Sequence, residues 1–147
     1  RNGRAFSLNT RLQVTPFLVP HRDEFSETVG FQIEGPSKKI LWLPDIDKWE
    51  KWETPIEKIL KGVNIAYLDG TFFADGELPG RDMSKIPHPF IAETMRRLKD
   101  QSASLRAKVR FIHLNHTNPA HDSDGSVAAQ IRKAGMRVAK QGERVEL

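Results

Sequence analysis

Residues 108–119 read KVRFIHLNHTNP. A β-type run from Val109 to Leu114 delivers His113 and then His116 into a turn marked by Asn118 and Pro119. A histidine at the end of a buried strand is held by the ladder behind it. Rigid metal sites need that, because their ligands must be fixed to within about 0.5 Å. The reading of this stretch therefore depends on what else reaches the same edge. Two other strand ends qualify. VPHRDE (19–24) places His21 just past an apolar run, and ILWLPDID (40–47) ends in Asp45 and Asp47. Imidazole with carboxylate suits zinc, manganese or iron(II). Singly, each residue has a plainer explanation: His21 as a surface-turn histidine, Asp45 as a turn former after Pro44.

Outward from these ends, the pattern is that of an α/β chain. Residues 12–19, LQVTPFLV, read as a strand interrupted by Pro16, hence an edge strand or a bulge. Residues 28–34 alternate as a strand, GPSKK turns, and 39–43 return as the second arm of a hairpin. At 54–61 Thr54 is the expected cap, Pro55 the first helical residue and Gly62 the stop. A buried strand follows at 64–69, then a long loop from Gly70 to Pro87, of a length that is usually functional or mobile. Phe90, Ile91, Thr94, Met95 and Leu98 share one face of a helix over 89–100. A second helix is expected over 125–134, capped by Ser123 or Asp124 and ended by Gly135. Two short strands are expected around Gln141-Gly142. Alternating strands and helices in the second half predict a mixed sheet.

At 147 residues the chain is long enough for one domain with a core. It has no cysteine, which excludes disulfides, thiolate ligands and a cysteine nucleophile. No apolar run approaches the roughly 20 residues of a membrane span, and the lack of cysteine gives the expectation of a cytoplasmic location. The net charge of +4 is interspersed. Its densest patches, Arg96-Arg97-Lys99, Arg106 to Arg110 and Arg132 to Lys140, read as solvated faces, with a binding surface for an anionic substrate or nucleic acid as the alternative, though no nucleic-acid motif supports it. Trp42, Trp49 and Trp52 around the Asp45 turn read as core packing, with a substrate-lining role as the alternative.

In order and spacing, His21 with Thr28-Val29-Gly30-Phe31, then ILWLPD, YLDGTFF, IPH and FIHLNHTNP resemble the C-terminal half of the metallo-β-lactamase superfamily. The nearest texture is that of its phosphodiesterase-like branch and of the pyrroloquinoline quinone biosynthesis protein B group. The resemblance runs from Leu12 to Leu147. It implies an α/β fold: the C-terminal half of an αββα sandwich, a mixed sheet with flanking helices, with 1–147 as a single domain or half-domain. It also implies roles. His21 is similar to a ligand of the first metal, Asp45 to the aspartate bridging two metals (Asp47 being the lesser substitute), and His113 to a ligand of the second. His88 resembles a histidine that contacts substrate or donates a proton. His116 is expected beside it as a substrate contact or support, and Asp69 as the hydrogen-bonded holder of a ligand histidine. The implied activity is two-metal hydrolysis of a phosphodiester or related small substrate, using zinc, manganese or iron. The alternatives are cofactor maturation in the quinone group and a non-catalytic binding module on the same fold.

One departure matters. The superfamily's His-x-His-x-Asp-His motif is absent; after His21 the next histidine is His88. The chain starts at Arg1, and its methionines are Met83, Met95 and Met136. The expectation is therefore a C-terminal portion of a longer hydrolase, with weak or no metal binding and no turnover alone. A sheet without its partner layer predicts self-association or a partner chain.

Overall fold

Seven strands pair in their order along the chain, and the pairing changes from antiparallel to parallel once. The computed structural model describes residues 2–147. Strands β1 (Phe6–Asn9), β2 (Leu12–Val19), β3 (Thr28–Glu34) and β4 (Lys39–Leu43) form an antiparallel meander. From β4 onward the neighbours are parallel: β5 (Ile65–Asp69), β6 (Val109–Ile112) and β7 (Arg137–Val138). Parallel neighbours need long crossovers, and these carry the helices α1 (Ile56–Lys61), α2 (Ile91–Leu98), α3 (Ala103–Arg106) and α4 (Ser126–Lys133). Each crossover steps to the adjacent strand in the same sense, which puts its helices on one face.

That face is the main core. Leu41, Leu43, Ala66, Leu68, Val109 and Phe111 point into it and meet Ile56, Leu60, Ile91, Leu98, Leu105 and Ile131 from the helices. Each of these side chains except that of Ala66 contributes about 1.5–3 kcal/mol relative to exposure. Trp49 lies in this core and donates Nε1–H to Thr94 Oγ1 at 2.9 Å. Trp52 packs against the same core, whereas Trp42 is on the opposite face and 39% exposed.

The opposite face carries Ile40, Ile65 and Tyr67, covered by Ala139, Val145 and Leu147 of the C-terminal segment. Three contacts dock that segment. Tyr67 donates to Glu143 Oε1 at 2.6 Å, Arg110 reaches the same oxygen at 2.9 Å, and Lys38 Nζ donates to the Glu146 carbonyl at 3.0 Å. Burial, then the bond to Glu143, pushes the Tyr67 hydroxyl above its ordinary value. Desolvation raises the Glu143 carboxyl, but the bonds from Tyr67 and Arg110 outweigh it and hold it low.

Several local expectations change. Gly3 N–H donates to the Pro16 carbonyl, but β1 pairs only with Leu12 to Val14, so Pro16 sits where its missing N–H faces no strand. β2 itself is interior, with β1 on one side and β3 on the other. Pro55 is the N-cap of α1 rather than its first residue, and Thr54 makes no cap bond. Gly125 precedes α4 in place of Ser123 or Asp124, while Gly135 ends that segment at φ +81°. The two expected terminal strands reduce to one, β7. No helix of the described residues is long and apolar enough to cross a membrane.

Candidate metal centre

β2 is antiparallel to β3 and β3 to β4, so β2 runs parallel to β4, β5 and β6. All four C-terminal ends therefore lie at one rim of the sheet, where α/β proteins place their ligand sites. His21 follows β2, Asp45 follows β4, Asp69 ends β5 and His113 follows β6. His88 joins them from the loop before α2. Asp45, Asp69, His88 and His113 each offer a ligand atom, all within 4.8 Å of one another.

Asp45 is the hub. Its Oδ1 lies 3.5 Å from His21 Nε2, 3.8 Å from His88 Nδ1 and 3.7 Å from His113 Nδ1. These gaps exceed hydrogen-bond length, and the carboxylate has no hydrogen-bond partner among the described residues. Asp47, by contrast, is spent on structure: it accepts from Lys48 N–H at 2.7 Å and pairs with Lys51 at 2.6 Å.

Asp69 is fully buried, and a buried carboxylate is costly unless its oxygens are occupied. Here Oδ1 accepts from Thr71 N–H at 2.9 Å and from the Thr71 hydroxyl at 2.7 Å. Oδ2 accepts from Ile46 N–H at 3.3 Å and from His88 Nδ1 at 2.7 Å. Four donors leave Asp69 suited to holding its neighbours rather than to a metal bond of its own.

The partners fix the proton positions on the rings. Only a protonated Nδ1 of His88 can meet the Asp69 carboxylate. The Thr71 hydroxyl gives its one proton to Asp69, so at 3.0 Å it accepts from Nδ1 of His113. Nδ1 of His21 lies 3.1 Å from the Pro87 carbonyl and must donate to it. Each imidazole thus has its Nδ1–H anchored on an oxygen and no hydrogen bond at Nε2 among the described residues; His21 faces Asp45 with Nε2, whereas His88 and His113 face it with Nδ1. Metal-ligating histidines are held in this way, and with the Asp45 carboxylate they make a donor set suited to zinc, manganese or iron.

The backbone is strained at the same place. His113 has φ +62°, the one non-glycine residue at positive φ among those described. Such a conformation costs a β-carbon-bearing residue about 1–2 kcal/mol, and it ends β6 at Ile112, turning the imidazole back toward Thr71. The loop after β5 is clamped from the NHTNP turn. Buried Asn118 donates to the Gly70 carbonyl at 2.8 Å and to that of Thr71 at 3.2 Å, while Asn115 N–H donates to the Thr71 carbonyl at 2.9 Å. A Cβ on Gly70 would lie 2.9 Å from Phe111 Cβ, so glycine lets β5 and β6 approach there.

His116 is exposed and is not part of the cluster. Thr71 and Asn118 received no role from the sequence. The signal available for Thr71 was its place two residues after the strand-ending Asp69, where a threonine can bond back to the carboxylate.

A model described as β-lactamase superfamily domain matches residues 1–113. Coenzyme PQQ synthesis protein B of Xanthomonas campestris pv. campestris is 26% identical over 97% of this chain and 54% of its own length. That of Pseudomonas fluorescens is 26% identical over 90% of this chain and 46% of its own length. The chain spans about half the length of the curated relatives it matches. Zinc-bound PqqB from Methylobacterium extorquens superposes with a TM-score of 0.78 at 23% identity, covering 100% of this chain and 51% of that one. The metallo-β-lactamase fold protein YhfI from Bacillus subtilis does so at 0.63 and 15% identity, over 97% and 52%. These structures share the fold.

Proposed function

From the chain's membership of the β-lactamase superfamily, we propose that it carries part of a divalent-metal centre for hydrolysis of a small phosphodiester or related ester. The observation that carries the reading is Asp45, a carboxylate without a hydrogen-bond partner facing His21, His88 and His113 at 3.5–3.8 Å. His21, Asp45 and His113 would hold metal, with zinc, manganese and iron the chemically suited ions. When bound, a divalent cation supplies Lewis acidity and brings the pKa of water toward about 7. Asp69 orients His88 through Nδ1, so its Nε2 lone pair would take the proton released by the attacking water and pass it to the departing oxygen. Thr71 passes the same restraint to His113. His116, at the exposed turn, is assigned to substrate contact.

Shared between two metals, His21, Asp45 and His113 give each ion one histidine and a share of Asp45, fewer than the three or four protein ligands of a tight site, so low affinity is expected of this chain. A zinc titration against a chromophoric chelator tests the reading. Weak binding is expected, reduced at least about tenfold by Asp45→Asn or His113→Ala. Affinity unchanged in both variants, or no binding by the parent chain, overturns it.

A second reading is favoured by the relatives' names: a role in maturation of the quinone cofactor. Saturable binding of that quinone, read by absorbance, would support it over hydrolysis. We also propose that the strand face bearing Phe6, Leu18 and Trp42, which are 48%, 42% and 39% exposed, takes a partner layer or a second copy of the chain. Light scattering that finds a soluble monomer at high concentration counts against this.

A further inference from the structure

A pocket of about 240 Å³ opens onto the metal centre, with His21, Thr71 and His88 in its lining. A hollow of about 330 Å³ beneath α4 is larger but touches none of the centre's side chains. The smaller pocket has two further lining residues with no assigned role, Arg22 and Arg81. Both are exposed, and neither guanidinium makes a hydrogen bond or ion pair among the described residues. Other arginines in the chain are engaged: Arg97 pairs with Glu57 at 2.7 Å, Arg110 with Glu143 at 2.9 Å, and Arg132 donates to the Ser123 carbonyl at 2.7 Å. The carboxylate next to Arg81 is also taken, because Asp82 accepts from the Ser84 hydroxyl at 2.6 Å and pairs with Lys85 at 3.3 Å.

We propose that Arg22 and Arg81 form an oxyanion clamp that seats a phosphoryl group of the substrate against His21 and His88. This rests on the hydrolytic reading above and names its substrate class: small phosphate esters. The two residues come from different loops, one after β2 and one before α2, and they reach the same pocket as the imidazoles. A single guanidinium fork satisfies the two oxygens of a carboxylate. Two forks supply more donors than a carboxylate uses, and match the three free oxygens of a phosphate monoester or the two of a diester approached from both sides. The pocket is smaller than the roughly 300–1,000 Å³ typical of sites for drug-sized ligands, which suits one phosphoryl group with a short substituent.

The experiment is a titration of the metal-free chain, with chelator present, by phenyl phosphate and separately by benzoate. The readout is the side-chain Nε–H resonances of the arginines. Saturable shifts at Arg22 and Arg81 are expected, with phenyl phosphate about tenfold tighter than benzoate. The double variant Arg22→Ala/Arg81→Ala should lose the binding, while Arg11→Ala, altered at an exposed site away from the pocket, should keep it. The double variant should also keep the parent's zinc affinity and circular dichroism. Absent shifts, equal affinity for benzoate, or binding that survives the double substitution overturns the clamp. Because this titration is metal-free, it is independent of the zinc result. A chain that binds zinc but not phenyl phosphate removes the clamp alone, and one that binds phenyl phosphate but not zinc removes the hydrolytic reading alone.

Discussion

Replacing His113 by glycine and by alanine separates the cost of its backbone from the value of its imidazole. Both variants lose the contact with Thr71 and any metal bond, so their difference isolates φ. At +62° alanine bears about 1–2 kcal/mol that glycine does not. Glycine in turn gives the unfolded chain more freedom, worth about 0.4–1 kcal/mol against it. The balance leaves His113→Gly more stable than His113→Ala by about 0.5–1 kcal/mol. In a chain of this size that is a Tm higher by roughly 1–4 °C. At an ordinary strand conformation the sign reverses, and alanine is the better residue. Urea unfolding gives the answer through the midpoint, with the slope checked for constancy. Zinc affinity should fall equally in the two variants. A more stable alanine variant would refute the left-handed conformation at His113, and with it the idea that strain was accepted there to aim the ring.

Thr71→Val keeps the shape but removes one donor to buried Asp69 and the acceptor for His113. It should cost about 1–3 kcal/mol in denaturant unfolding and lower zinc affinity by about 10–100-fold; full retention of both would remove Thr71 from the scheme. Gly70→Ala forces a Cβ to 2.9 Å from Phe111 Cβ and should destabilise by about 1–3 kcal/mol, read as a lower Tm. The Glu143 carboxyl is held below its ordinary value of 4.5. Its contribution is therefore present above about pH 4.5 and drains away as pH falls further. The Tyr67 hydroxyl is held above 10.0, so its share is present below that pH and is lost on going higher. Unfolding measured across pH should show both losses, and Glu143→Gln should flatten the acid one.

Strands with a buried, alternating or all-apolar pattern were legible: β2, β3, β4 and β5 fall where their hydrophobic runs place them. β1 was not, because all four of its residues are exposed and FSLN carries no burial pattern. α3 is a single turn of four residues started by Ser102, too short for a periodicity to register. At the site, His21, Asp45 and His113 could be picked out because each stands at the end of an apolar run, whereas Asp69 was marked only by the family resemblance. That these ends share one rim follows from strand direction, which pairing decides. The alternation of VRFIHL runs on through Leu114, so nothing in it announces that the backbone turns left-handed at His113. Thr71 looks like any turn residue until the fold sets two imidazoles beside its hydroxyl.

Tyr67 is the sole tyrosine of the chain, and its hydroxyl bonds Glu143 of the terminal segment. The molecule therefore contains a built-in optical probe. In a near-ultraviolet alkaline titration the phenolate signal comes from one group, so its midpoint reports whether the last residues lie on the sheet. Docked, the phenol ionises late; once those residues peel away it loses Glu143 and part of its burial, and ionises earlier. Any binding partner, variant or solvent that displaces the terminus can be followed through that one chromophore, with no label added.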